Sequence, residues 1–112
     1  MQGVNKVILV GNLGNDPNVI TLEDGTCVSK FSIATSEIFK GKDGEKVSNT
    51  EWHNVVVWGN LAEFVKKYLK KGSHLYLEGK LKTRTFDDKD NRKVRITEII
   101  ADQILLLDKK SD

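Results

Sequence analysis

Two tryptophans in one short segment are the residues of this 112-residue chain best suited to contact a ligand. Trp52 and Trp58 lie within residues 50–58, a segment rich in valine and aromatic residues that predicts a β-strand. Because side chains alternate across a strand, both rings lie on one face, which they share with Asn54 and Val56. Flat aromatic faces of this kind can stack on the unpaired bases of a single-stranded nucleic acid.

A basic segment supplies charges that would suit the same ligand. Residues 66–95 contain eleven Lys and Arg side chains and four acidic ones, although the net charge of the whole chain is only +2. A run of charge is most often solvated surface, but cations beside stacking aromatics favour phosphate binding. The best candidates for phosphate contacts are Lys70, Lys71, Lys82 and Arg84, which have few acidic neighbours in the sequence. Phe86 ends the cationic face of the predicted strand that carries Lys82 and Arg84.

Other chemistries find less support. Aromatic side chains commonly fill protein cores, but Trp52 shares its face with Asn54, and asparagine is unusual on a core face. His53, His74 and Cys27 lack the spacing of a zinc site, so we expect no metal. No nucleophile stands beside a base, so we expect neither an enzyme nor a cofactor. We expect Cys27 to be a small, buried apolar side chain.

The remaining segments predict an all-β fold. Apolar alternation predicts main strands at residues 4–13, 27–38, 50–58, 73–86 and 94–107, with a short extra strand near 19–22 and a polar loop at 39–46. One helix starts near Leu61, with Asn60 as its N-cap, Glu63 as the capping partner and Gly72 as its C-terminal glycine.

Five main strands with one helix between the third and the fourth are the order of an OB-fold, a five-stranded Greek-key barrel. Gly11 and Gly79 would allow the strands to bend around it. The length predicts a single domain over 1–112, with a core at 1–106 and a short C-terminal end at 107–112. No segment is apolar enough to span a membrane, no secretory signal is visible, and a lone cysteine fits a reducing compartment. We therefore expect a cytoplasmic protein.

Six motifs in register carry a resemblance to a known family. They are VNKVILVGNLGNDP (4–17), ATSE (34–37), TEWH (50–53), GNLAE (59–63), YLKKGS (68–73) and EGKLKTR (78–84). Together they resemble bacterial single-stranded DNA-binding protein, and the match extends from residue 4 to about residue 106.

The resemblance implies a homotetramer that binds and protects single-stranded DNA without sequence preference in replication, recombination and repair, in a bacterial cytoplasm near the nucleoid. It implies stacking by Phe39, Trp52, Trp58 and Phe86, a further phosphate contact from Lys6, and subunit contacts from His53, Tyr76 and His74. Asn54 and Asn60 stand where relatives often carry Arg or Lys, which implies fewer phosphate contacts.

The end of the chain departs from the family pattern. The sequence stops at Asp112, before any acidic tip of the kind through which relatives recruit replication and repair proteins, so we expect a truncated or tailless member with doubtful recruitment of those partners. Two alternatives stay open: an OB-fold protein-interaction module, and an RNA-binding protein with weak DNA affinity. Residue types alone do not separate RNA from DNA binding.

Overall fold

The computed structural model describes residues 2–108, which form six strands and one helix. In chain order these are β1 (Val7–Leu13), β2 (Asn18–Thr21), β3 (Cys27–Lys40), β4 (Lys46–Trp58), α1 (Asn60–Tyr68), β5 (His74–Asp87) and β6 (Lys93–Leu106). The five long strands and the position of the helix confirm the predicted architecture. Among the described residues, no helix is long and apolar enough to cross a membrane.

One sheet in the order β1-β5-β6-β4-β3-β2 closes into a barrel because β1 also pairs with β3. Asn12 is the closing point, since it pairs with His74 of β5 and with Ala34 of β3. The neighbouring Gly11 has no room for a side chain, because a Cβ there would overlap the Ala34 carbonyl. The predicted need for glycine at this bend therefore arises from close backbone approach rather than from an unusual φ angle.

Alternating residues of the long strands fill the barrel interior. Ile33, Val55, Val57, Leu75 and Leu77 are almost completely buried there. Helix α1 packs against one end of this core through Ala62 and Val65, and the buried Ser29 hydroxyl donates to the Ala62 carbonyl over 2.9 Å. The opposite side of each strand faces outward, so the strand order decides which surface residues meet.

The helix ends differ from the predicted caps. The N-cap is Gly59, with a φ of 70°, and no side chain caps the helix, so Asn60 and Glu63 do not form the predicted capping pair. Asn60 is instead the first helical residue, because the strand leads into the helix through a left-handed turn that glycine adopts easily. At the other end Leu69 is an extended C-cap, and Gly72 lies three residues beyond it in the turn before β5.

The predicted polar loop at 39–46 is confirmed at 41–45, whereas residues 39, 40 and 46 belong to the flanking strands. Strands β3 and β4 continue as a two-stranded ribbon until Lys40 pairs with Lys46. The turn itself spans residues 41–45, where the Gly41 N–H donates to the Glu45 carbonyl over 2.8 Å. The strand residues beside this turn were not predicted from the sequence. Both faces of the ribbon are exposed beyond the barrel, so the strands need no apolar alternation there.

Candidate nucleic-acid interface

The outward sides of β3, β4, β6 and β5 form one continuous surface, which we call the aromatic-cationic face. Lys30 pairs with Val56, Val56 with Ile100, and Ile100 with Lys80, so these side chains point to the same side of the sheet. Because side chains alternate along each strand, further candidate functional residues lie on the same face. The candidates on this face are Lys30, Trp52, Asn54, Trp58, Lys82, Arg84, Phe86 and Glu98.

Both tryptophans are exposed, on the one strand face that the alternation predicted they share. Trp52 is 60% exposed and Trp58 is 52% exposed, so neither ring belongs to the core. The Trp52 ring rests on the backbone at Gly14, where a Cβ would overlap the outer edge of the indole. Gly14 therefore supports one side of the ring while much of the remaining surface stays open to solvent.

A cation and an aromatic ring are joined at the β5 end of the face. The Arg84 guanidinium carbon lies 5.5 Å from the centre of the Phe86 ring, within the range of a cation–π contact. The Arg84 Nε–H also donates to Glu98 Oε1 over 3.0 Å. Arg84 is therefore paired with an acid, contrary to the prediction that it has few acidic partners. The partner was hidden because Glu98 lies on β6, fourteen positions away in the sequence.

An open cleft of about 320 Å³ lies on this face between Trp58 of β4 and Arg84 of β5. It is lined by Lys30, Val56, Trp58, Lys82, Arg84, Glu98 and Ile100. Three cations, one acid and one indole thus meet at one depression, which suits an aromatic anion such as a nucleotide. Sequence reasoning missed Lys30 and Glu98 as site residues. Lys30 lies on the strand next to the tryptophans, and only the pairing of β3 with β4 shows that its side chain adjoins Trp58.

The predicted phosphate-contact residues do not form one cluster. Lys70 and Lys71 lie in the turn between α1 and β5, where the Lys71 backbone N–H donates to Asp16 Oδ1 over 2.8 Å. Lys82 lies eight positions further along β5 than His74, the first residue of that strand. At about 3.3 Å per strand residue, these eight positions place Lys82 and Arg84 roughly 26 Å or more along the strand from its start beside Lys70 and Lys71.

Lys6 lies next to β1 and is held by a carboxylate. Its Nζ lies 2.7 Å from Glu78 Oε1, and the Tyr76 hydroxyl donates to the other oxygen of Glu78. These hydrogen bonds hold the pKa of Glu78 below its usual range and raise the pKa of Lys6. Lys6 is therefore charged, but its charge is largely offset by its neighbour.

Phe39 lies on the β3–β4 ribbon, away from the barrel. It is exposed and pairs with Val47 across the ribbon. The register places Ile38, rather than Phe39, on the same side of the ribbon as Trp52, and Ile38 is 73% exposed. Phe39 therefore lies on the side of the ribbon opposite the one that continues from Trp52.

The predicted subunit-contact residues occupy two different surfaces. Tyr76 pairs with Val10 and His74 with Asn12, so both side chains lie on the outward side of β1 and β5. His53 lies on the side of β4 opposite the tryptophans, half-buried, with its Nε2 2.9 Å from the Thr35 hydroxyl. Within one chain, His53 and Tyr76 therefore do not share a face.

The last candidates from the sequence are the possible metal ligands and Cys27. Within residues 2–108, no group of three or more His, Cys, Asp or Glu side chains is arranged to hold a metal ion. Cys27 is buried in the barrel core, as predicted.

The fold and the aromatic-cationic face together define an OB-fold binding module. The model of the single-strand binding protein family matches residues 4–107, and the chain belongs to that family. This is a family of non-enzymatic DNA-binding proteins, in agreement with the prediction that the chain is not an enzyme.

Named relatives agree with this assignment. The chain is 47% identical to Single-stranded DNA-binding protein 1 of Xylella fastidiosa strain 9a5c, over all of this chain and 83% of the relative. It is 46% identical to Single-stranded DNA-binding protein 1 of Chlorobaculum tepidum, over 97% of this chain and 68% of the relative. A solved structure, the Plasmodium falciparum SSB complex with ssDNA, superposes with a TM-score of 0.88 at 34% identity, covering 96% of this chain and 98% of the other.

The contact between Gly14 and Trp52 generates a prediction about the free protein. In a Trp58→Phe background, where Trp52 is the remaining tryptophan, Gly14→Ala should displace the indole from the backbone that supports it. Quenching of its fluorescence by acrylamide should rise, while the melting temperature changes little because the ring edge can move outward. The matched control places Gly14→Ala in a Trp52→Phe background, where the Trp58 signal should not change. Unchanged Trp52 quenching would show that Gly14 does not position the ring.

Proposed function

We propose that this protein binds and protects single-stranded DNA without sequence preference. The observation that carries the proposal is the exposure of two indole rings on a sheet face that also holds Lys30 and Lys82, which form no ion pair within residues 2–108. An exposed tryptophan is costly in water, and a ligand that offers apolar flat surfaces would cover it. The names of the relatives and the DNA in the related solved structure support the choice of ligand.

In this mechanism the bases stack on Trp52, Trp58 and Phe86 while cations neutralise the phosphates. Stacking tolerates every base because each one has a π-face, and single-strand binding proteins gain about 1–3 kcal/mol per base in this way. Lys30, Lys82 and Arg84 line the cleft beside Trp58 and are the nearest phosphate contacts. Lys70 and Lys71 would bind the strand where it continues toward the α1–β5 turn. Phe39 would stack on bases along the ribbon, and Lys6 contributes least because Glu78 neutralises it.

RNA is the alternative ligand with the same physics, and a protein-interaction module is the alternative of another kind. Stacking and phosphate contacts do not by themselves detect a 2′-hydroxyl. Titrating the protein with oligo-dT, oligo-U and duplex DNA separates the three cases. Our proposal requires tight binding of oligo-dT and weak binding of the duplex, whose bases are already paired. Preference for oligo-U would favour RNA, and absence of binding to all three would favour a protein partner.

The proposed setting is DNA replication, recombination and repair in a bacterial cytoplasm, close to the nucleoid. In all three processes single strands are exposed and need protection from pairing and cleavage. We treat residues 1–112 as one binding domain, because the barrel strands from β1 to β6 share a single core.

Replacing Trp52 tests the stacking mechanism directly. Trp52→Ala should weaken oligo-dT binding by about 1–3 kcal/mol per engaged base, because it removes a π-face. The melting temperature should hardly change, since the ring is mostly exposed, whereas truncating a buried aromatic costs about 3–5 kcal/mol of stability. The matched control Trp52→Phe keeps a π-face and should retain most of the affinity. If Trp52→Ala binds as tightly as the wild type, Trp52 does not stack on bases.

A second surface supports the proposal of a homotetramer. The outward side of β1, β5 and β6 exposes Ile8, Val10 and Leu105, which adjoin the half-buried Tyr76. We call these four side chains the apolar outer face. Exposed apolar side chains in contact across neighbouring strands are typical of subunit interfaces. Copies of the chain would bury this face while the aromatic-cationic face, on β3, β4, β6 and the far half of β5, stays open to DNA. His74 borders this face, and His53 would contribute to a separate contact.

The assembly can be tested by placing a charge on the apolar outer face. We expect light scattering of the wild type to give four times the chain mass of 12.6 kDa. Val10→Asp should lower this mass, because burying an unpaired carboxylate in an interface is unfavourable. Ile20→Asp is the matched control: Ile20 is an exposed apolar residue on β2, outside this face, so its replacement should leave the mass unchanged. A wild-type monomer at micromolar concentration would rule out the tetramer.

A further inference from the structure

An acidic side chain lies in the middle of the aromatic-cationic face, where it should oppose binding of a polyanion. Glu98 lies directly opposite Lys82 on the neighbouring strand and lines the same cleft as Lys30 and Trp58. Its side chain is only 14% exposed, whereas that of Arg84 is 49% exposed. The carboxylate is thus shielded at the base of the surface while the guanidinium extends toward solvent.

The geometry of the contact leaves Arg84 able to bind a second anion. Glu98 accepts from the Nε–H of Arg84, which is the side of the guanidinium nearest the chain. Among the described residues no acceptor is bonded to the two terminal amino groups of Arg84. Arginine has five N–H donors in a fixed plane, so one carboxylate at Nε leaves a pair of donors suited to a phosphate.

Phe86 fixes the same guanidinium from another direction. The ring lies 5.5 Å from the guanidinium carbon, so the cation is held by a carboxylate at Nε and by an aromatic ring beside it. A free arginine side chain has several rotatable bonds and loses conformational entropy when it binds a ligand. Two contacts in the free protein reduce that loss, because the side chain is already ordered when the ligand arrives.

We propose that Glu98 is a positioning residue of the nucleic-acid interface. It holds Arg84 beside Phe86 with its terminal amino groups open, so that a phosphate of the bound strand contacts Arg84 while an adjacent base stacks on Phe86. This inference rests on the proposed function and adds a residue that favours DNA binding in spite of its negative charge.

The direction in which Glu98→Ala changes the affinity for oligo-dT distinguishes a positioning role from simple charge repulsion. Glu98→Ala removes a negative charge from the face, so electrostatics alone predicts tighter binding of oligo-dT. If Glu98 positions Arg84, the same mutation should weaken binding by about tenfold, the effect of one charge-assisted hydrogen bond. The slope of log affinity against log salt should become shallower by about 0.7, because one phosphate contact is lost. The neutral variant Glu98→Gln still offers an oxygen acceptor and should bind more tightly than Glu98→Ala.

Two controls make the test specific. In an Arg84→Ala background, Glu98→Ala should no longer weaken binding, because Glu98 acts through Arg84. Glu51→Ala removes an exposed carboxylate from β4 that has no ion pair among the described residues, and it should leave affinity unchanged or slightly raised. Melting curves of all the variants identify any loss of affinity caused by unfolding.

The possible outcomes separate this inference from the function on which it rests. If the wild type binds oligo-dT and Glu98→Ala binds as tightly or more tightly, Glu98 is not a positioning residue and the proposed function stands. The same conclusion follows if Glu98→Ala weakens binding equally with and without Arg84. If the wild type does not bind oligo-dT, both proposals are wrong.

Discussion

The alternation of side chains along the long barrel strands is the constraint on which the rest of this structure depends. In β4, Val55 and Val57 fill the interior while Trp52 and Trp58 point outward. A shift of one residue in the pairing of β4 would exchange these sets, burying the indoles and exposing the valines. The apolar core therefore fixes the register, and the register in turn assembles the aromatic-cationic face. The stability of the barrel and the position of the binding residues have the same physical origin.

Barrel closure gives the molecule two outer surfaces of different character. On the β3–β4–β6–β5 side, aromatic rings stand among cations of which, within residues 2–108, Arg84 alone forms an ion pair. On the β1–β5–β6 side the aliphatic side chains of Ile8, Val10 and Leu105 are exposed, and the cation Lys6 is bound to Glu78. Free cations attract a polyanion over a distance of several ångströms, whereas an aliphatic surface with paired charges favours contact with another apolar surface. The difference in charge pairing supports separate roles for the two surfaces, one toward DNA and one toward other copies of the chain.

Much of the fold could be predicted because the sequence signals were local. Apolar alternation predicted the five main strands, and the helix near Leu61 was predicted between the third and the fourth, as the structure has it. Alternation also predicted that Trp52 and Trp58 share one face of their strand, and the structure exposes both rings there. The predicted N-cap pair of α1 was wrong. The chain enters the helix through Gly59 in a left-handed conformation, and no polar side chain caps the first turn. Strand residues 39–40 and 46–49 of the β3–β4 ribbon were missed because apolar alternation is absent where both faces meet water.

The candidate site was less accessible to sequence reasoning because it depends on contacts between distant segments. Glu98 meets Arg84, and Lys30 meets Trp58, only through the pairing of β5 with β6 and of β3 with β4. Neither pairing can be read from local composition. The basic segment 66–95 suggested a single cluster, but β5 carries Lys82 far from Lys70. Proximity in sequence was therefore a poor guide to proximity on the surface.

The most direct test of the central claim is to follow the two indole N–H signals by NMR during titration with oligo-dT. Stacked bases shift nearby protons strongly, so the Trp52 and Trp58 indole signals should both move as the site fills. Amide signals of Val55 and Val57, which lie between them on the same strand, should move less because their side chains face the core. If both indole signals stay in place while the signals of the apolar outer face move, DNA binds elsewhere and the aromatic-cationic face is not the binding site.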